Sequence, residues 1–163
     1  MRADDLAGTV AIVTGAGSVS DLALGMGTVI VQHLLDAGAT VAGFDWNAEG
    51  LERFAERNPA AVKEGRFLPV VCDVSAPADC AAAVKRVIAE LGVPNVLFNH
   101  AGIGETDIGQ TGQTRFWETD YGRWEKVQRV NAFGPFVMAR LVLPGMLQKH
   151  WGRIINTSTS FQT

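Results

Sequence analysis

Glycines cluster at one point of the chain, where an apolar segment gives way to a helical pattern. Gly15 and Gly17 follow the apolar segment, and Gly25 and Gly27 stand at the start of the helix. Glycines at such a junction allow a tight turn and let a pyrophosphate approach the helix N-terminus, where free N–H groups and the helix dipole favour an anion. We therefore predict a dinucleotide-binding loop that includes Ser18. A purely structural turn is the alternative, because 18 glycines in 163 residues also produce such spacings by chance.

A single acidic residue ends the second apolar segment. Asp45 lies 18 residues after Gly27, close to the separation of ~20 residues expected for an acid that binds the ribose 2′-hydroxyl of a dinucleotide. Trp46 and Asn47, which follow it, are not basic, so a 2′-phosphate would meet an uncompensated negative charge. The sequence predicts NAD rather than NADP as the cofactor. The alternative is an exposed Asp that caps the next helix.

The elements that must position these residues are short β-branched segments that alternate with segments of helical periodicity. The predicted strands cover residues 9–14, 40–45, 67–73, 96–98 and 153–156. Pro69 is the residue that counts against the third strand. We predict one α/β domain over residues 1–163, a doubly wound, Rossmann-like parallel sheet of five strands. Ligands of such sheets bind at the carboxyl ends of the strands.

Helical segments connect the predicted strands. The second of them is capped by Asn47 and ends at Asn58-Pro59. For the third we predict Ser75 as the cap and a buried stripe that includes Ile88. The last is one long helix over residues 121–148.

Charge and composition argue against several classes of partner. The chain has 14 Lys+Arg against 17 Asp+Glu, so it lacks the basic surface that nucleic acid or an anionic membrane would attract. No apolar run approaches the ~20 residues of a membrane span, because Arg140, Pro144 and Gly145 interrupt the best one. Cys72 and Cys80 make neither a disulfide framework nor a zinc set. We expect a reduced, cytoplasmic protein with no metal site and no nucleic-acid or membrane partner.

Four further segments carry a resemblance to a known family. Cys72-Asp73-Val74 follows the third strand, Asn99-His100-Ala101-Gly102 follows the fourth, residues 124–136 lie in the long helix, and residues 152–156 form the last strand. In order and spacing, together with the glycine loop and Asp45, they resemble the short-chain dehydrogenases/reductases over essentially the whole chain. The resemblance implies transfer of a hydride between a nicotinamide cofactor and an alcohol or carbonyl.

The resemblance also implies roles for individual residues. It implies cofactor contacts for residues after the third and fourth strands: Asp73, Val74, Asn99, Ala101 and Gly102. Thr159, with Ser158 beside it, stands where the family has the Ser that orients the substrate oxygen. His100 replaces the family's second Asn, and we expect it to be a hydrogen-bonded structural residue, with a general base as the alternative.

Pro135 leaves one backbone acceptor of the long helix without its donor. Because proline has no N–H, Pro135 cannot donate to the carbonyl of Asn131, four residues earlier. The family is thought to use the carbonyl of this Asn to hold a water in a proton relay, so the resemblance makes Asn131 a candidate catalytic residue. The alternative is that Asn131 only stabilises a kinked helix.

Two departures from the family concern the glycine loop and the proton donor. The loop after Gly15 is longer than usual and has the length found in divergent enoyl-thioester reductases, with Asp21 where they have Ser; that activity is a minority alternative. The family's Tyr works with a Lys four residues later that lowers its pKa. In this sequence the single tyrosine is Tyr121, and Glu125 stands four residues after it.

The sequence therefore predicts an NAD-dependent oxidoreductase that acts on a small-molecule alcohol or carbonyl. Because the Tyr/Lys pair is absent, we expect the chain to be C-terminally incomplete and inactive by itself. The fifth strand and the side chains of Phe133, Val137 and Leu141 would then lack cover. By resemblance, subunits pair through the long helix at 121–148 into a homo-oligomer. The rivals are a non-catalytic NAD-binding module and a fragment without function.

Overall fold

A computed structural model describes residues 5–17, 25–104 and 115–158 and contains one parallel sheet. Its strands are β1 (Val10–Thr14), β2 (Thr40–Asp45), β3 (Phe67–Val71), β4 (Val96–Asn99) and β5 (Arg153–Asn156). They lie in the order β3-β2-β1-β4-β5, and each neighbouring pair is parallel. The strand order reverses at β1, which confirms the predicted doubly wound, Rossmann-like α/β fold.

Helices lie on both faces of the sheet. They are α1 (Met26–Asp36), α2 (Ala48–Arg57), α3 (Pro59–Lys63), α4 (Pro77–Glu90), α5 (Tyr121–Gln128) and α6 (Gly134–Gln148). A π turn, Arg129–Phe133, joins α5 to α6, and a 3₁₀ turn, Phe116–Glu118, precedes α5.

Two apolar cores hold the centre of the sheet. On one face, α4 and α6 pack over Ile12, Phe44 and Leu97, which are fully buried. On the other face, α1 and α2 pack over Val13 and Val41. Because β1 and β2 contribute to both cores, their side chains are apolar on both faces, as expected of central parallel strands. The carboxyl ends of these strands are therefore held from both sides.

Two helices begin at positions that the sequence prediction missed. α4 begins at Pro77 with Ala76 as its N-cap, not at Ser75. The carboxylate of Asp73 accepts the N–H of Ser75 at 2.8 Å, so the chain makes a turn before the helix starts. α3 begins at Pro59, where only a helix end was predicted, because proline is favoured at the first helical position as well as beyond a helix.

The third strand accommodates its proline because it lies at an edge. Within the described sheet, β3 pairs only with β2, where Pro69 stands opposite Gly43. An edge strand needs backbone donors on one side only, so the missing N–H is tolerated. The strand ends at Val71, earlier than predicted. The predicted stripe of α4 is wrong at Ile88, which is 45% exposed.

The predicted long helix is a continuous helical run that changes register once. In the π turn, the N–H of Gly134 donates to the carbonyl of Arg129, five residues earlier, directly before Pro135. Since Pro135 offers no N–H, a wider turn at this point lets the helix continue past the proline. Pro144 lies inside α6 and does not end it.

By length and composition this run, Tyr121–Gln148, could cross a membrane, with a mean hydropathy of 1.4 in its best window. Arg140 and Pro144 therefore do not exclude a helix with the length and composition of a membrane span, contrary to the expectation from the sequence. One third of the window is buried, and Val137, Met138 and Val142 belong to the core beneath α6. A core helix of a soluble protein has the same composition, so the pattern is weak evidence for a membrane.

Among the described residues, little covers the sheet beyond β4. All four residues of β5 are exposed, which confirms the expectation of an uncovered strand. Phe133 is exposed as well. The expectation was wrong for Val137, which is buried, and for Leu141, which packs against the same core.

Candidate functional site

The turn after β1 depends on two close approaches that exclude a side chain. Gly15 has a φ of 74°, and a Cβ there would lie 2.9 Å from the backbone N and Cα of Ala101. A Cβ on Gly27 would overlap the carbonyl oxygen of Gly15. Glycine at both positions lets the first turn of α1 sit directly on the end of β1, where the sequence predicts the dinucleotide loop.

Asp45 lies beside this turn at the end of β2. Its carboxylate accepts the N–H of Gly17 at 2.7 Å and the N–H of Asn47 at 2.9 Å. A Cβ on Gly17 would lie 2.8 Å from Cγ of Asp45, so the contact requires glycine. Burial raises the pKa of Asp45 above its ordinary value of 3.8, and the backbone N–H groups oppose that rise. Asn47, not Asp45, occupies the N-cap of α2, so the capping alternative for Asp45 is wrong.

A pocket of about 430 Å³ opens at the carboxyl ends of the first four strands. It is lined by Gly15, Phe44, Asp45, Trp46, Cys72, Asp73, Val74, Ala101, Gly102, Ile103 and Val130. Six of the predicted cofactor residues belong to this lining, although they come from four separate segments of the chain. Apolar walls with an acid at the rim suit a flat base attached to a sugar.

Thr14, to which the sequence analysis gives no role of its own, joins the two central turns. Its side chain is buried, and its Oγ1 accepts the N–H of His100 at 3.1 Å and the N–H of Ala101 at 3.0 Å. The only signal in the sequence is a hydroxyl at the end of an apolar strand. Through the Thr14 hydroxyl, the segment after β4 is fixed to the end of β1.

His100 is held in the way expected of a structural residue. Its Nδ1 lies 2.9 Å from Oγ1 of Thr157, beyond β5. Burial lowers the pKa of His100 below its ordinary value of 6.5, so the ring is neutral at neutral pH.

Comparison with protein-family models decides the family. The model described as short chain dehydrogenase matches residues 9–162. The chain belongs to the short-chain dehydrogenase family. The family's fold therefore includes the glycine turn, Asp45 and the segment after β4. The sequence already shows these three features in the order that the family has.

Curated members of the short-chain dehydrogenase family resemble the chain along most of its length. It is 32% identical over 158 residues to D-threitol dehydrogenase of Mycolicibacterium smegmatis, an alignment that covers 97% of this chain and 55% of the relative. It is 34% identical over 151 residues to a 3-oxoacyl-[acyl-carrier-protein] reductase of Pseudomonas aeruginosa (93% and 55%). It is 36% identical over 151 residues to 2-(R)-hydroxypropyl-CoM dehydrogenase of Xanthobacter autotrophicus (92% and 56%). The chain spans about half the length of the curated relatives it matches.

In this short-chain dehydrogenase chain, Asn131 lies in the π turn and clamps the segment after β4. Its Oδ1 accepts the N–H of Ile103 at 2.9 Å, and its Nδ2 donates to the carbonyl of Ile103 at 2.8 Å. The side chain is thus occupied in positioning one wall of the pocket. The expected role of its carbonyl in a proton relay stays a prediction.

Asn99 ties β4 to β5 and to α6. It is 4% exposed, and its Nδ2 donates to Oδ1 of Asn156 at 2.8 Å and to the carbonyl of Pro135 at 3.4 Å. Among the described residues its Oδ1 has no hydrogen-bond partner. The side chain therefore fixes the edge of the sheet next to the pocket, and its expected contact with the cofactor stays a prediction.

The remaining predicted residues lie around the glycine loop and beyond β5. Gly25 is the N-cap of α1, and Ser158 is exposed just after β5. Ser18, Asp21 and Thr159 fall outside the described residues. Within residues 5–17, 25–104 and 115–158, no group of three or more His, Cys, Asp or Glu side chains could hold a metal ion.

Proposed function

We propose that this chain is the cofactor-binding part of an NAD-dependent oxidoreductase that interconverts a small-molecule alcohol and a carbonyl. The observation that carries the proposal is the carboxylate of Asp45, held by the N–H groups of Gly17 and Asn47 at the wall of the pocket. Each carboxylate oxygen has a second lone pair, so Asp45 can also accept a hydroxyl of ribose. A 2′-phosphate there would face a negative charge instead.

The residues present fit a nicotinamide dinucleotide. The N-cap of α1 is Gly25, which has no side chain that could accept the first N–H groups of the helix, and a helix N-terminus of this kind suits a pyrophosphate. Val74, Ile103 and Val130 offer apolar walls to a base, and Asp73 lies among them. When bound, the cofactor supplies or accepts a hydride at C4 of its nicotinamide.

The protein's own residues would orient the substrate and move the proton. Asn131 would hold a relay water by its carbonyl, and Thr159 or Ser158 would donate a hydrogen bond to the substrate oxygen. Glu125, not Lys, stands four residues after Tyr121, and Tyr121 is 91% exposed at the start of α5, so we propose that a Tyr/Lys pair outside these residues supplies the proton.

Titration with NADH and NADPH tests the cofactor assignment. Asp45→Ala should raise the Kd for NADH about tenfold, the effect of losing a hydrogen bond to a charged group, and change the Kd for NADPH less. Asp36→Asn, at the exposed end of α1, is the matched control and should leave both unchanged. Equal losses for the two cofactors would remove the assignment of Asp45 to the 2′-hydroxyl. Binding without turnover in the complete protein would favour the non-catalytic module.

The pH dependence of NADH binding gives a second test. Because the pKa of Asp45 is raised by burial, its carboxylate is protonated at a higher pH than an exposed Asp. The affinity for NADH should therefore fall as the pH drops through this raised pKa, above 3.8. Asp45→Asn removes the titrating group and should flatten the profile; an unchanged profile would contradict the role of the carboxylate.

We also infer a cytoplasmic homo-oligomer without nucleic-acid or membrane partners. The buried, free thiols of Cys72 and Cys80 suit a reducing compartment. The net charge of −3 disfavours nucleic acid. Exposed Phe136 and Leu143 on α6 support pairing through the long helix.

A further inference from the structure

A cation lies over an aromatic ring at the rim of the pocket. Trp46 follows Asp45 directly, lines the pocket and is 55% exposed. The Nζ of Lys126, on α5, lies 5.6 Å from the centroid of the Trp46 ring. An ammonium group over an indole face at this distance is attracted by the ring quadrupole.

The contact spans two elements that are otherwise far apart in the chain. Trp46 belongs to the connection between β2 and α2, whereas Lys126 lies four residues before Val130, which lines the pocket from the side of the long helix. None of the residues of α5 is buried. Val127 of α5 packs against the core beneath α6, and the Lys126–Trp46 contact links α5 directly to the rim of the pocket.

We propose that Lys126 is a positioning residue for base recognition: it holds the indole of Trp46 as a wall on which the purine of the cofactor stacks. The inference rests on the proposed function and deepens it. A half-exposed Trp side chain that samples several rotamers would lose this conformational freedom when a base binds. The loss of entropy weakens binding. With Lys126 on the ring, part of that freedom is lost before the base arrives.

The ligand half that this wall recognises is the adenosine half. Bases stack on indole through their π faces, and the apolar side chains of Val74 and Val130 belong to the same lining. The nicotinamide half gains nothing from Trp46 if the base occupies this pocket. The pair of Trp46 and Lys126 therefore contributes to the affinity for the cofactor through its adenosine half only.

Two half-ligands and four variants of the purified protein test this inference. ADP-ribose contains the adenosine, and nicotinamide mononucleotide lacks it. Trp46→Ala should raise the Kd for ADP-ribose about tenfold, as loss of a base stack does. Lys126→Met should raise it about threefold, as loss of an exposed cation–π contact does. Trp46→Phe and Lys126→Arg should bind nearly as the unsubstituted protein does.

If Lys126 contributed only to stability, the effect of Lys126→Met on the Kd for ADP-ribose would not depend on Trp46. In the Trp46→Ala background, Lys126→Met should have no further effect, and neither substitution should change the Kd for nicotinamide mononucleotide or the midpoint of thermal unfolding. Lys85→Met, exposed on α4, is the matched control. An undiminished effect of Lys126→Met without Trp46, or a Lys126→Met protein that matches the control, would overturn the inference.

The two proposals fail differently. If the unsubstituted protein does not bind ADP-ribose, both the proposed function and this inference are overturned. If it binds ADP-ribose with an affinity that is indifferent to Trp46 and Lys126, the inference alone is overturned and the cofactor assignment stands.

Discussion

The part of the sheet around β1 and β2 (the covered side) and its edge at β5 (the open side) differ in how much of each strand is buried. At its centre, every residue of β1 is buried, and so are residues 41–44 of β2. At its far edge, β5 exposes all four of its residues, Ile154 and Ile155 among them, and α5 has no buried residue. The glycine turn, Asp45 and most of the pocket lie on the covered side, so the proposed nucleotide site is framed by residues that have little freedom to move.

This contrast predicts where a substitution acts. On the covered side, a change of one side chain meets backbone atoms and should alter stability and cofactor binding together. On the open side, apolar side chains are not covered by the described residues, so substitutions should change association more than folding.

The largest effect is expected at Gly27. Gly27→Val would drive its side chain into the carbonyl of Gly15 and separate α1 from β1, so we expect a loss of more than ~3 kcal/mol in the free energy of unfolding, with loss of NADH binding. Urea denaturation and titration measure both. Gly65→Asn is the control, because Gly65 also has a positive φ, 66°, but no atom lies within 4 Å of its Cβ position. Similar stability of the two variants would show that the close approach is not needed.

A smaller effect is expected at Thr14. Thr14→Val keeps the shape but removes the acceptor of two N–H groups, those of His100 and Ala101, and should lower the free energy of unfolding by about 2 kcal/mol. Thr14→Ser keeps the hydroxyl and should recover most of that loss. If the valine variant is as stable as the serine variant, the N–H groups must find other partners and the link between β1 and β4 is weaker than the distances indicate.

The fold could be predicted from the sequence because its signals are local. β1 and β2 are runs of apolar and β-branched residues, and their predicted ends lie within one residue of those observed. The errors have two causes: a competing hydrogen bond within a turn, and the position of a strand in the sheet. Ser75 is a good capping residue, yet Asp73 binds its N–H and delays the helix. Pro69 is tolerated only because β3 is an edge strand, which no local pattern reveals.

The site was predictable only in part, for the same reason. Glycines and an acid at fixed separations mark the turn and Asp45, since both belong to one β-α-β unit. Thr14 is 86 residues from His100, and Trp46 is 80 residues from Lys126, so those contacts exist only in the folded chain. Their residue types are ordinary at each position, and only the sheet order brings them together.

The smallest effect on folding, and the clearest on assembly, is expected on the open side. Phe136 is 60% exposed on α6, and its ring stacks at 6.3 Å on that of Phe133, so the pair presents apolar surface to solvent. If subunits pair through this helix, Phe136→Glu should change the free energy of unfolding of the subunit by less than ~0.5 kcal/mol, as exposed positions do, and shift the protein to monomers in sedimentation velocity.

Val71→Glu is the matched control for that experiment, because Val71 is 62% exposed but lies on β3, at the opposite edge of the sheet. It should leave the sedimentation coefficient unchanged. An oligomer that survives Phe136→Glu but dissociates with Val71→Glu would place the subunit contact on the covered side of the molecule. The comparison would then be reversed, since the side with the proposed nucleotide site would also bind the partner subunit.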